Sequence, residues 1–220
     1  MSIDISFLAT IPWFNGINEE ELRKLIPCLG YVQKDYEANE IVFLQDQEIK
    51  YIGLIITGKI STIKIDLNGH QSTIMTLEKG DIFGETFLCN KDSNSKLTYV
   101  AITSCKVIYF PFHKVFYFCS MACPFHHRLI ENTLSIISDK NVKLLHKIEI
   151  LSAKTLRDKI KLFLKQISIQ QGCNTFSISL TRSDIADYIC ADRSSLCREL
   201  SRMQKDGLIE YAGNKFRIFF

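Results

Sequence analysis

The sequence predicts an α+β chain in three parts: a β-rich roll of the jelly-roll type, a long helix, and a small C-terminal domain of short helices closed by a hairpin. Three observations carry this. Short β-branched and aromatic runs, broken by turn residues, fill the segment from Gly30 to about Phe112. The stretch from about Cys119 to Leu151 holds no glycine and only Pro124, close to its start. Charge then changes sign: residues 1–151 carry 15 Lys+Arg against 17 Asp+Glu, residues 152–220 carry 12 against 7, so a body of −2 is followed by a tail of +5.

Composition bounds the rest. A chain of 220 residues with 46% apolar content can build real cores. The N-terminus, MSIDISFLATIPWF, lacks a basic region followed by a long apolar one, and no run approaches the ~20 apolar residues of a membrane span. Eight cysteines, at 28, 89, 105, 119, 123, 173, 190 and 197, show no C-x2-C spacing. A cytoplasmic protein with reduced thiols, no metal site and no membrane partner is expected. The basic tail points to a polyanion, the bland alternative being a solvated basic face.

The elements follow in order. NEEELRKLIP reads as a helix. EIVFLQ, YIGLIIT, KISTIKID, QSTIMTL, LTYVAIT and KVIYFPF read as strands, with Ile60, Ile63 and Ile65 as the apolar members of the third and Asn68-Gly69 as a hairpin turn. Many short strands at regular spacing mean a sandwich, jelly roll or barrel. In the long helix, Ile130, Leu134, Ile137, Asn141, Leu144, Ile148 and Leu151 are spaced alternately by four and three. That is a heptad seam in which Asn141 takes an a position, a device that fixes register and favours a parallel pair. A homodimer with Ile130, Leu134, Ile137, Asn141, Leu144 and Ile148 at its interface is expected. Leu129, Ile136 and Leu145 form a second apolar edge for packing on the helix's own domain. The predicted division is 1–118 for the roll, 119–151 for the dimerisation helix and 152–220 for the last domain.

Beyond EILSAKT a helix starts near Ser152 or Lys154, with Leu156, Ile160, Phe163, Leu164 and Ile167 on one face, and TFSISL gives a short strand. Thr181 with Asp184 is a capping box in its Asp variant, opening a helix with Ile185, Ala186 and Ile189 inward. Asp192 caps a second helix, in which Leu196, Leu200 and Met203 share one face. Ser194, Arg198, Ser201 and Lys205 lie opposite, Arg202 beside them and Arg193 in the first turn. Arginine forks match guanine O6 and N7, and a helix N-terminus favours a phosphate. LIEY and FRIFF flank AGNK, where Gly213-Asn214 marks a hairpin. Helix, turn, helix, hairpin is a winged helix-turn-helix. Its expected partner is double-stranded DNA, through Thr181, Arg193, Ser194, Ser195, Arg198, Ser201, Arg202 and Lys205.

In the order of its parts the chain resembles the CRP/FNR family of bacterial transcription regulators over nearly its whole length. KGDIFGE (Lys79–Glu85), after YIGLIITGKI, looks like the start of the family's cyclic-nucleotide-binding roll, and DRSSLCRELSRM looks like its recognition helix. The resemblance implies a DNA-binding regulator rather than an enzyme, with RNA polymerase as a partner. Arg193, Ser195 and Arg198 match family DNA-contacting positions, and Ser194 stands where the founding member has a glutamate that reads a cytosine. It also implies an effector pocket at Gly84, Glu85, Ser95 and Lys96, with Asn141 and Val142 meeting the ligand from the long helix.

This pocket departs from the cAMP-binding pattern. The family's Arg-Ser pair reads Ser95-Lys96, and no arginine occurs between Arg23 and Arg128. A bidentate guanidinium clamp on phosphate is therefore missing, and Lys96 offers only a point charge. Asp46 also replaces a turn glycine. A small effector other than cAMP, apolar or carboxylated, is expected, and no cofactor. Against an iron–sulfur sensor, only Cys28 precedes Cys89. Cys119 and Cys123, spaced for one helix face, allow a redox or metal pair but fit buried structural cysteines better. His70 and the pair His126-His127 are the candidates for haem. A cupin-like metal enzyme needs histidines converging across strands, and the roll offers His70 and His113.

Overall fold

The computed structural model describes residues 3–65, 71–88, 93–116 and 123–220. It forms two compact units, Met1–Asp139 and Lys140–Phe220. The hairpin turn expected at Asn68-Gly69, His70, Cys89 and Cys119 lie outside the described residues.

The first unit opens with α1 (Ile5–Ala9) and α2 (Glu19–Leu29). The side chain of Asn18 caps α2 in a full capping box with Glu21. Eight strands follow: β1 (Val32–Tyr36), β2 (Ile41–Phe43), β3 (Tyr51–Thr57), β4 (Ile60–Ile65), β5 (Gln71–Leu77), β6 (Ile82–Phe83), β7 (Thr98–Ala101) and β8 (Cys105–Pro111). Two short helices interrupt or end the series, α3 (Glu85–Leu88) and α4 (Phe112–Phe116). The strands make two four-stranded sheets, ordered β1-β8-β3-β6 and β2-β7-β4-β5, with every pairing antiparallel. The predicted roll is present, and β1 and β6 are added to it. Both are weak signals: VQKDY is mostly polar because β1 is a sheet edge, and β6 has two residues.

Aromatic side chains fill the roll. Phe43, Phe83, Tyr99 and Tyr109 are buried with ring centroids 5.5–6.0 Å apart. Gly53 lets the Phe83 ring lie on the strand, since a Cβ there would sit 2.3 Å from Phe83 Cζ. The hydroxyls of Tyr36 and Tyr109 pair at 2.7 Å. Burial, then that bond, pushes the Tyr109 phenol far above its ordinary pKa. The apolar members of β4 divide between its two faces. Ile63 and Ile65 do not share Ile60's face, because side chains alternate by two; Thr62 does, and it is buried. Its hydroxyl accepts from Met75 N (3.0 Å) and donates to Met75 O (3.1 Å).

The long helix α5 runs Pro124–Ser152. It starts later than the expected Cys119; Cys123 precedes it, and proline suits a first helical turn because its missing N–H has no intrahelical acceptor there. Within the first unit Leu129 is fully buried and Ile136 packs on the same core. Trp13 Nε1 donates to Thr133 Oγ1 (2.7 Å), Asn132 to the carbonyls of Trp13 and Asn15, and Arg128 to that of Gly16 (2.6 Å). Leu145 does not join this edge: it is 63% exposed.

In the second unit the last half of α5 is followed by α6 (Leu156–Gln171), capped by Thr155 and closed by left-handed Gly172. Then come β9 (Thr175–Ser177), α7 (Arg182–Tyr188), α8 (Arg193–Lys205), β10 (Ile209–Ala212) and β11 (Lys215–Ile218). The hairpin is wider than expected, because β9 pairs with β11 in a sheet ordered β10-β11-β9. Ile150, Ile160, Phe163, Leu164, Leu196, Leu200 and Met203 belong to its core.

Candidate nucleic-acid interface

Helices α7 and α8 owe their positions to two caps. Thr181 Oγ1 accepts from Asp184 N (3.2 Å), while the Asp184 carboxylate accepts from Thr181 N (2.8 Å). Thr181's hydroxyl is thus part of the cap. The turn passes through Cys190 at φ +51°, a left-handed conformation uncommon for a residue with a Cβ. Asp192 then caps α8, accepting from Ser194 Oγ (2.5 Å) and Ser195 N (2.9 Å). The Ser194 hydroxyl, and then the Ser195 amide, hold this carboxyl below the usual carboxylate range.

Beyond the caps, α8 presents the face its spacing predicts. Leu196, Leu200 and Met203 are buried, Ser195 is half-buried, and Arg193, Ser194, Arg198, Ser201, Arg202 and Lys205 are exposed. Arg198 Nη2 donates to Ser195 Oγ at 3.1 Å, which holds the guanidinium along the helix toward its N-terminus. Ser201 Oγ donates to Cys197 O (3.1 Å) and lies 3.3 Å from the Tyr211 hydroxyl. Arg202 leans on Glu199 at 3.4 Å. Among the described residues Arg193, Arg198 and Lys205 make no ion pair, so three cations of this face stay available to an outside anion.

In the roll, Gly84 has φ +89°, and a Cβ there would meet Tyr51 O at 2.9 Å. Glu85 is buried at the start of α3, with Thr86 Oγ1 donating to it at 3.2 Å. Ser95 is fully buried. Its hydroxyl donates to Leu97 O (2.5 Å) and accepts from Leu97 N (3.2 Å), so both roles are spent locally. Its backbone is zipped to the turn at Asp46: Asp46 N donates to Ser95 O (2.7 Å) and Ser95 N to Gln47 O (2.9 Å). Asp46 takes φ +64°, the conformation a glycine would adopt there with less strain. Lys96 is exposed. A cavity of about 370 Å³ lies elsewhere in the roll, lined by Lys34, Tyr36, Phe43, Glu48, Tyr51 and Tyr109 among others and by none of Gly84, Glu85, Ser95 or Lys96.

Along α5 the seam residues are open on the single chain. Leu134 is 56% and Ile148 60% exposed, Leu144 and Asn141 are exposed, and Ile130 and Ile137 are half-buried. Val142 is also exposed. His126 is buried, with Nε2 3.0 Å from Val115 O, and His127 Nδ1 lies 3.3 Å from Glu131. His113 sits exposed on α4 rather than on a strand. Among the described residues no group of three or more His, Cys, Asp or Glu is placed to hold a metal ion, and no helix is long and apolar enough to cross a membrane.

Comparison with known proteins bears on both units. The family model described as "Cyclic nucleotide-binding domain" matches residues 33–121, and that described as "Crp-like helix-turn-helix domain" matches residues 158–219. The chain belongs to the CRP/FNR family of bacterial transcription regulators. The Probable transcriptional regulator flp of Lacticaseibacillus casei is 22% identical over 97% of this chain and 94% of its own length. Electron transport regulator A of Shewanella oneidensis is 26% identical over 90% and 78%. The structure of CLP, a c-di-GMP-responsive global regulator of Xanthomonas campestris, superposes with a TM-score of 0.63 at 17% identity, over 86% of this chain and 94% of that one, a likeness of fold.

CRP/FNR proteins are regulators rather than enzymes, and this one carries a DNA-binding domain of the Crp-like type. Three residues that brace α8 escape a reading by sequence pattern. Arg157, on α6, donates through Nε to Glu199 (2.5 Å) and through Nη1 to Asp206 (2.7 Å). These bonds, that to Glu199 first, raise its pKa further. The pairing places a cation beside two carboxylates at α8 and its C-terminal end. No local signal announces it, since the partners are 42 and 49 residues apart.

Proposed function

We propose that this CRP/FNR regulator works as a homodimer which places two copies of α8 in successive major grooves of a roughly palindromic operator. A small molecule other than cAMP acts on its roll. The observation that carries the assembly is the apolar stripe of α5, where Leu134, Leu144 and Ile148 stand exposed around Asn141 on a helix of 29 residues. Pairing α5 with its copy would bury that stripe, at roughly 25 cal/mol per Å² of apolar surface removed from water. A two-fold dimer needs half-sites whose centres are one helical turn apart, ~10 bp. Arg193, Ser194, Ser195, Arg198, Ser201, Arg202 and Lys205 would meet that DNA, with Thr181 at the adjoining cap. RNA polymerase is the partner through which the bound dimer would act, in the bacterial cytoplasm.

Against cAMP stand the arginine-free roll, the spent hydroxyl of Ser95 and the aromatic rings packed beside Gly84. Gly84, Glu85, Ser95 and Lys96 remain the proposed effector residues within the roll. Light scattering at micromolar concentration, followed by selection of binding sites from random DNA, tests the reading. A monomer, or recovered sites without two-fold symmetry, would sink it.

A further inference from the structure

We infer that Arg182 is a positioning residue for DNA binding: it latches the β10–β11 hairpin to the first turn of α7, so that wing and recognition helix meet DNA as one preset surface. The inference rests on the DNA-binding reading. Arg182 opens α7, the positive end of the helix dipole, where a cation is disfavoured. Its placement therefore serves something other than the helix.

The surroundings say what. The guanidinium lies 4.7 Å from the Phe216 ring centroid and 5.3 Å from that of Tyr211, two residues paired across the hairpin with rings stacked at 22°. Its Nη2 donates to Gly213 O, at the hairpin tip, at 2.6 Å. One planar cation thus covers the wing's aromatic pair and closes its turn, a geometry a lysine cannot reproduce. The chain of contacts continues: the Tyr211 hydroxyl lies 3.3 Å from Ser201 Oγ on the exposed face of α8. The Arg182–Tyr211 pair thus adds a polar link among the first turn of α7, the wing and α8, beyond the apolar core that Ile185, Leu196, Leu200, Ile209 and Phe216 already share. The guanidinium's Nη1 is buried and has no hydrogen-bond partner among the described residues. Its desolvation is a cost that stacking on Phe216 and Tyr211 and the Gly213 bond must offset.

The test compares the full-length protein with Arg182→Ala, Arg182→Lys and Tyr211→Leu. In the free wild type, hydrogen exchange should find the amides of 209–218 protected; in all three variants they should exchange faster. Operator affinity should fall roughly tenfold, the cost of losing a preset surface. The slope of log affinity against log salt should stay unchanged, and the Arg182→Ala and Tyr211→Leu losses should be less than additive. A salt slope reduced by about one with hairpin protection intact would overturn the latch and make Arg182 a phosphate contact. Full activity of Arg182→Lys would overturn it too. Should Arg182→Ala fail to fold, Arg182→Lys and Tyr211→Leu carry the same readouts. Should the wild type bind no DNA, the DNA-binding reading fails, while exchange in the free protein still reports on the latch.

Discussion

Arg198 and Lys205 carry the same charge on the same face of α8, yet they should behave differently on DNA. Arg198 is held by Ser195 toward the helix N-terminus, the end that would enter a major groove in the proposed reading, whereas Lys205 is in the last turn. Arg198→Ala should cost ~1–3 kcal/mol on the cognate site and relax choice at one base pair. Lys205→Ala should weaken all sequences alike and flatten the salt dependence. Titration of both variants on cognate and single-mismatch sites separates them, and a uniform loss for Arg198→Ala would demote it to a phosphate contact. Ser194, tied to Asp192, is too short to accept from a cytosine amino group, so readout at its base pair should be weak. A second residue makes a stability statement. Cys190 sits at φ +51° in the turn, where a Cβ costs of order 1 kcal/mol that glycine avoids, so Cys190→Gly should raise the urea midpoint or leave it unchanged. A clear drop would show that the thiol's own contacts outweigh the strain.

At the scale of elements, caps and periodicities were the legible part. Thr181, Asp184 and Asp192 announced where α7 and α8 begin, and Leu196, Leu200 and Met203 announced which face turns inward. Less legible was anything that depends on distant partners: the polar edge strand β1, the addition of β9 to the wing, and the Arg157 pairing with Glu199 and Asp206. Apolar character alone did not mark the inward face of β4, where Ile63 and Ile65 fall opposite Ile60 and Thr62 is buried with a bond to Met75. For the cap of α8 a pH dependence follows. Asp192's pKa is depressed in the fold, so its contribution is full above the unfolded value of about 4 and is lost as pH falls through the folded value. Asp192→Ala should therefore be less stable than wild type at pH 7, with the gap closing below about pH 4. Denaturation of both proteins across that range measures it, and a gap that persists at low pH would assign the loss to something other than the charged cap. The seam in α5 makes the remaining statement at this scale. Leu144→Glu with Ile148→Glu should yield folded monomers with much weakened operator binding, visible by light scattering, because two buried like charges per helix cannot be paired across a two-fold axis.

The molecule as a whole joins a roll of the cyclic-nucleotide-binding type to a DNA-binding type of tail, and the sharpest question is whether cAMP acts on that roll. Its fold is that of the cyclic-nucleotide-binding family, matched over residues 33–121. By the resemblance on which the proposed reading rests, the phosphate of a cyclic nucleotide would fall at Ser95-Lys96. A cyclic phosphate wants a fork of donors at fixed geometry, and the first unit's described residues offer one only outside the roll, at Arg23 on α2 and Arg128 on α5. Ser95 is buried with its hydroxyl closed on Leu97, and its backbone is bound to the left-handed turn at Asp46. Asp46 and Ser95 are thus hydrogen-bonded neighbours, and freeing Ser95 for a ligand would disturb the turn as well. Adding cAMP should consequently leave both the heat signal in calorimetry and the operator affinity unchanged, at concentrations that saturate a cAMP-binding relative. Restoring a fork should be informative in the other direction. Ser95→Arg places a long cation where a buried serine packs, so it should destabilise the roll rather than confer cAMP binding, read as a lowered melting temperature with no shift on adding the nucleotide. Tight cAMP binding by the wild type, abolished by Lys96→Ala, would reverse this account and make a lysine the phosphate anchor.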